Sequence, residues 1–182
     1  GLGMILDGQL YNGAIGFAGE LSHIKLVEDG DLCICGKRGC LETVTSVSVL
    51  LKSVREGIAA GKVSQLTQKF EKRINELKPE HIIQAAKSGD EFSISLLNKI
   101  GLALGKGLST TIQLLNPDII VLGGTIANAN QYVLTPIQQS LNKNCLEQIT
   151  RSTSIVISEN WEQSGVLGIA AMLYEKIFSD IT

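Results

Sequence analysis

Asn116-Pro117-Asp118-Ile119-Ile120-Val121-Leu122-Gly123-Gly124 is the stretch on which the fold class turns. Asn-Pro-Asp stops any preceding helix, because proline lacks an amide hydrogen and disfavours the α conformation in the residue before it. Four consecutive aliphatic residues then predict a short strand covered on both faces, and Gly-Gly predicts an abrupt exit from it. On the N-terminal side, Asp90 to Leu115 has apolar residues on more than one side, and Gly101, Ala103, Gly105 and Gly107 permit close packing, so it reads as a buried central helix. On the C-terminal side, a helix from about Gln131 to Asn144, a strand near Ser154 to Ser158 and a helix from Gln163 to Phe178 are predicted. Strands alternating with helices make this an α/β fold.

Further toward the N-terminus, Leu2 to Leu6 and Gln9 to Tyr11 flank Asp7-Gly8 and predict a hairpin. Glycines at 13, 16 and 19 punctuate a loop, and Leu21 to Val27 has strand-like apolar content. From Glu42 the period becomes helical, with Thr43 or Ser46 as cap, Val47, Leu50, Leu51 and Val54 on one face, and Gly57 and Gly61 at the end. A single amphipathic helix is expected over 62–78 and a short one from His81 to Ala86.

With 182 residues, 44% of them hydrophobic, the chain can bury a sizeable core. A net charge of −2 excludes broad contact with nucleic-acid phosphates through this segment. No apolar run has the roughly 18 residues that span a bilayer, so the chain reads as soluble, cytoplasmic and unassociated with membranes.

Three of the four cysteines crowd into Cys33-Ile34-Cys35-Gly36-Lys37-Arg38-Gly39-Cys40. Such clustering favours metal ligation in a reducing compartment over a disulfide scaffold. Zinc takes four nitrogen or sulfur ligands in a tetrahedron, and His23 on the preceding segment is the natural fourth beside Cys33, Cys35 and Cys40. The other histidine, His81, lies far along the chain, and Cys145 reads as an inert buried thiol. A closed site of this kind is structural. With one ring nitrogen of His23 on the metal, the other carries a proton that can be donated to a ligand hydroxyl. Glu20 and Glu42 flank the same knot, and two carboxylates with an imidazole N–H suit the vicinal hydroxyls of a sugar. The plainer readings are a solvated loop acid at Glu20 and a first-turn helix acid at Glu42. Gly1, Gly3, Gly123 and Gly124 would let backbone approach a nucleotide, or serve simply as tight turns.

Gly19-Glu20-Leu21-Ser22-His23, followed by Cys33 to Glu42, closely resembles the signature of the ROK family of sugar kinases and sugar-responsive repressors, members of the actin-like ATPase superfamily with its ribonuclease H-like fold. Asn116 to Gly124 resembles that family's adenosine-side segment. The resemblance implies that Glu20, His23 and Glu42 contact sugar, that His23, Cys33, Cys35 and Cys40 hold zinc, and that Gly1, Gly3, Gly123 and Gly124 face a nucleotide. Ser22 stands where glycine is usual. The chain begins where a family member is about halfway through, so residues 1–182 are expected to be a C-terminal lobe without the N-terminal lobe, its catalytic aspartate, or a DNA-reading module. Alone it is expected to lack kinase activity. Cys40-Leu41-Glu42-Thr43-Val44-Thr45-Ser46-Val47 resembles repressors related to those for N-acetylglucosamine and xylose, which implies the sugar-sensing domain of a transcriptional regulator. The alternatives are the C-terminal lobe of an ATP-dependent sugar kinase and a dimerisation unit with a relic pocket. A homodimer or higher homo-oligomer is implied, with DNA contacted only through a module outside this chain.

Overall fold

The computed structural model describes residues 1–178. It opens on the predicted hairpin, β1 (Ile5–Leu6) and β2 (Gln9–Leu10), antiparallel with Ile5 opposite Leu10. Asp7 and Gly8 have φ of 51° and 78°, the turn whose twist matches a two-residue hairpin. The strand predicted over Leu21 to Val27 is absent. A 3-10 turn covers Leu21–His23, and only Lys25 pairs, in an isolated bridge with Cys40. The amides of His23 and Ile24 donate back to the carbonyls of Glu20 and Leu21, and those of Leu26 and Val27 converge on the Gly39 carbonyl, so no ladder can form.

The helix predicted from Glu42 divides into α1 (Glu42–Thr45) and α2 (Val47–Ala59). Ser46, at φ −73° and ψ 158°, interrupts the path, and its Oγ accepts the Val49 amide as the cap of α2. Thr43, the other predicted cap, lies inside α1. Gly57 lies inside α2 rather than at its end, against the Phe92 ring. The helix predicted over 62–78 is α3 (Gln65–Phe70) followed by a 3-10 turn, Ile74–Glu76. Leu66, Phe70 and Leu77 are buried all the same, so the apolar spacing tracked the core across a break in the backbone. α4 (Pro79–Lys87) contains the predicted short helix and starts on proline, whose missing N–H would have had no helical partner there.

α5 (Glu91–Leu115) is the predicted central helix. Its cap, Asp90, is buried and accepts four hydrogen bonds: from the Ser93 amide (2.9 Å) and hydroxyl (2.7 Å), the Ser64 hydroxyl (3.0 Å) and the Gln65 amide (2.9 Å). Burial pushes the carboxyl pKa up, but these four donors outweigh it and hold it below its ordinary value of 3.8. A carboxylate with a depressed folded-state pKa contributes stability above its unfolded pKa and loses it as pH falls through the folded one. Asp90→Ala is therefore expected to cost about 2–3 kcal/mol at neutral pH, through a lost cap and stranded buried donors. In urea melts at pH 7 and pH 3, the gap between wild type and variant narrows at the lower pH.

Asn116, left-handed at φ 43°, ends α5 and returns its amide to the Ile112 carbonyl. The chain continues through β3 (Ile119–Leu122), a 3-10 turn (Thr125–Ala129), α6 (Gln131–Asn144), α7 (Glu147–Ser152), β4 (Ser154–Ile157) and α8 (Trp161–Phe178). β3 and β4 pair in parallel, with Ile119 opposite Ser154, and the connection carries the helices, as an α/β crossover requires. α7 is unannounced in the sequence, and Cys145 is the residue that ends α6. β3 is covered on one face only. Ile120 is buried, while Ile119 and Val121 are 54% and 58% exposed. α8 likewise buries no residue. Among the described residues no helix is long and apolar enough to cross a membrane.

α5 and α6 make the core. Gly101 sits against Pro136 and the Val133 carbonyl, and Gly105 against Ser140 and the Ile137 carbonyl, so two glycines four apart meet two residues four apart. Gly107, on another side of α5, receives the Leu41 side chain and so ties the segment carrying Cys40 and Glu42 to the core.

Candidate functional site

Residues 30–40 form a knuckle. Leu32 bridges to Arg38 and, between them, Cys33 N–H donates to the Lys37 carbonyl (2.7 Å) and Gly36 N–H to the Cys33 carbonyl (2.9 Å). Gly39 has φ +75° and lies so close to the Val27 carbonyl that a β-carbon would collide with it. Only glycine fits that turn. Its carbonyl receives the amides of Leu26 (2.7 Å) and Val27 (3.0 Å), pinning the segment after His23 to the segment before Cys40.

This brings together His23, Cys33, Cys35 and Cys40, whose ligand atoms all lie within 4.8 Å of one another. The His23 Nδ1 to Cys33 Sγ distance is 3.4 Å and the Cys35 to Cys40 Sγ separation is 3.6 Å. A tetrahedral ion with metal–sulfur bonds near 2.3 Å requires neighbouring sulfurs about 3.8 Å apart. The four donors thus fit one metal ion. The four cysteines are free, with no disulfide among the described residues. Cys33 and Cys40 are buried, and burial first, then the adjoining thiols Cys35 and Cys33, push the Cys40 thiol up to about 12. The Lys37 backbone amide draws the exposed Cys35 thiol down instead. Three thiolates this close repel one another unless a cation lies among them, which is the chemistry of a metal-binding donor set.

Around the cluster, His23 presents both ring nitrogens to acids. Nδ1, on the thiol side, is 3.7 Å from Glu42 Oε2, and Nε2 is 3.7 Å from Glu20 Oε2. Glu20 immediately precedes the 3-10 turn that carries His23, and Glu42 opens α1. The structure therefore brings Glu20, His23 and Glu42 to one spot. Ser22 occupies the turn without a positive φ, so serine in place of glycine brings no strain there.

Next to this spot lies a cavity of about 440 Å³ walled by Gly1, Leu2, Ser22, Leu41, Gly123, Gly124 and residues of α5 and the β3 end. Gly1, Gly123 and Gly124 all line it, whereas Gly3 does not. Ser22 and Leu41 join the cavity to the knuckle, being chain neighbours of His23 and of Cys40 and Glu42. Thr45, Ser46 and Thr125 also line it and were not singled out from the sequence. Ser46 carried only a capping signal, and Thr125 only its place after Gly-Gly.

Residues 1–176 match the ROK family. The chain belongs to the ROK family. It is 29% identical over 177 residues to a glucokinase from Thermotoga maritima, covering 97% of this chain and 56% of that one. It is also 28% identical over 183 residues to a xylose repressor from Caldicellulosiruptor bescii, covering 98% and 44%. In structure it matches a ROK family transcriptional regulator, a homologue of the E. coli MLC protein, with TM-score 0.81, 33% identity and 89% and 40% coverage. A ROK family glucokinase from Streptomyces griseus in complex with glucose and AMPPNP also matches, with TM-score 0.81, 25% identity and 93% and 55% coverage. The chain spans about half the length of the relatives it matches, and its α/β fold is one that ROK regulators and ROK kinases share.

Proposed function

We propose that this ROK chain is the sugar-sensing C-terminal lobe of a transcriptional regulator, with zinc held by His23, Cys33, Cys35 and Cys40. The observation that carries the proposal is the two-sided placement of His23, one ring nitrogen toward the thiols and the other toward Glu20. Bound there, zinc supplies rigidity and a fixed tautomer. His23 then donates from Nε2 to a sugar hydroxyl, and Glu20 and Glu42 accept from its neighbours. The run Cys40 to Val47 supports the regulator reading through its resemblance to repressors related to those for N-acetylglucosamine and xylose; within it Ser46 separates α1, which carries Glu42, from α2. A sugar bound between this lobe and the rest of the protein biases their closure, and with it a dimer's grip on DNA.

Titration calorimetry of the full-length protein with glucose, N-acetylglucosamine and xylose tests this. One of them is expected to bind, and Glu20→Ala to weaken it on the order of tenfold to a hundredfold, the value of hydrogen bonds to a charged group. Absence of binding by all three, or an unaffected variant, overturns the reading. A second reading, the C-terminal lobe of a sugar kinase, is favoured by the presence of Gly1, Gly123 and Gly124 in the lining of one cavity. It predicts ADP release from ATP that depends on the bound sugar, which the regulator reading does not.

A further inference from the structure

On the side of α5 away from α6 runs a groove of about 470 Å³, with a floor of Leu50, Leu96, Ile100 and Ala103. Leu26 and Val27, the two residues pinned to Gly39, form one wall, and Val44 and Val49 form another. Two of its apolar side chains stand open to solvent, Leu102 at 40% and Val27 at 37%. Its polar lining is Ser53, Lys99 and Lys106, without an acidic residue. Lys99 and Lys106 are exposed, seven residues apart along α5, about 10 Å at helical rise, with Leu102 between them. Among the described residues neither is in an ion pair, and Lys106 makes only a 3.4 Å bond to the Leu26 carbonyl. With these two lysines set aside, the 16 basic and 18 acidic residues of the chain leave an acidic excess elsewhere, so a groove with cationic rim and apolar floor departs from the average surface.

We propose that this groove docks an amphipathic helix of a partner protein whose apolar stripe is flanked by Asp or Glu. Charge complementarity selects the acidic flank. The backbone selects the helix. The α1, α2 and α5 segments of the groove have their amides and carbonyls engaged within helices, and the Leu26 and Val27 amides are taken by Gly39, so the groove offers no free edge on which an extended peptide could add a strand. Recognition must then run through side chains, with apolar anchors beside Leu102 and acids at Lys99 and Lys106. The walls are the segments that also carry Cys40 and Glu42, so the docked helix lies against the back of the metal knuckle. The inference is independent of the identity of any sugar.

The test uses the full-length protein and two 18-residue helical peptides with the same leucine stripe, one flanked by glutamates and one by lysines, read by fluorescence anisotropy. The glutamate peptide is expected to bind at least tenfold more tightly, with an affinity that falls as salt rises. Leu102→Asp and the double variant Lys99→Glu, Lys106→Glu each remove at least tenfold of it, and the double variant reverses the preference toward the lysine peptide. These positions are exposed, and unchanged circular dichroism and metal content keep a folding defect separate from lost docking. Equal binding of the two peptides, or variants that bind as wild type does, overturns the proposal. So does a concentration-dependent dimer in sedimentation that Leu102→Asp dissolves, since the groove would then belong to a second copy. Sedimentation of the protein with phosphatidylglycerol vesicles, abolished by the lysine variants, overturns it in favour of a lipid surface.

Discussion

Cys40→Ser is expected to reduce bound metal from about one equivalent per chain to less than a fifth of that, and to lower the melting temperature by on the order of 10 °C, a loss of several kcal/mol at this chain length. Cys40 is the fully buried member of the donor set, and the two bonds that flank it, from the Leu26 amide to the Gly39 carbonyl and from the Leu41 amide to the Ile24 carbonyl, pin it beside Lys25, so no solvent ligand can take its place without opening the knuckle. Without metal its thiol is pushed up to about 12, chiefly by burial, so the metal-free cluster is expected to hold protons and the metal-bound one to release them. Metal affinity must then fall as pH falls. Emission spectrometry of the purified protein after dialysis at pH 7.5 and at pH 5 measures both effects. Cys145→Ser is the internal control. Its thiol is raised by burial but lies outside the cluster, and its replacement leaves metal content unchanged. Metal content in Cys40→Ser equal to wild type would sink the assignment of this cluster as a metal centre.

Gly105→Val is expected to destabilise the chain by about 3 kcal/mol or more. A β-carbon at that position would stand 2.6 Å from Ser140 Cβ and 2.7 Å from the Ile137 carbonyl oxygen. The second of these is backbone, so α6 must move as a whole, and overpacking against a rigid element is costly. Valine has the better helix propensity, which returns only a few tenths of a kcal/mol. Gly168→Ala in α8 provides the opposite sign. Nothing lies within 4 Å of a β-carbon there, and the change should stabilise by about 0.5–1 kcal/mol through helix propensity. Denaturant melts of the two variants decide the matter. A neutral Gly105→Val would mean that the α5–α6 contact is looser than its geometry indicates.

The α5–α6 contact also illustrates what reading residues alone can do. Small residues in a long apolar helix announce close approach, and Gly101 and Gly105 meet α6 as that pattern suggests. The same pattern does not say which neighbour arrives, and Gly107 turned out to receive Leu41. Glycine has no side chain to carry an address, so the partner of each contact is set by the packing of the whole layer.

Much of the α/β order was legible, because Asn116-Pro117 ends a helix, an aliphatic run makes a strand, and Asp7-Gly8 makes a hairpin by local sterics. The donor set was legible too, since clustered thiols with intervening glycines constrain one short loop. Local rules failed where the backbone had two uses for the same residues. Leu21 to Val27 has the content of a strand, yet its amides serve a turn and the Gly39 carbonyl. Val121 belongs to an aliphatic run typical of strands covered twice, yet one face of β3 lies open. Burial depends on what packs from outside the segment, and no periodicity within it reports that. By itself the sequence determined the clustered thiols Cys33, Cys35 and Cys40 and the glycine turns between them. Tertiary structure alone decided that His23 faces thiols with one nitrogen and Glu20 with the other, that Gly1, Gly123 and Gly124 line one cavity, and that Lys99 and Lys106 rim an apolar groove, because each juxtaposes residues brought together only by the fold.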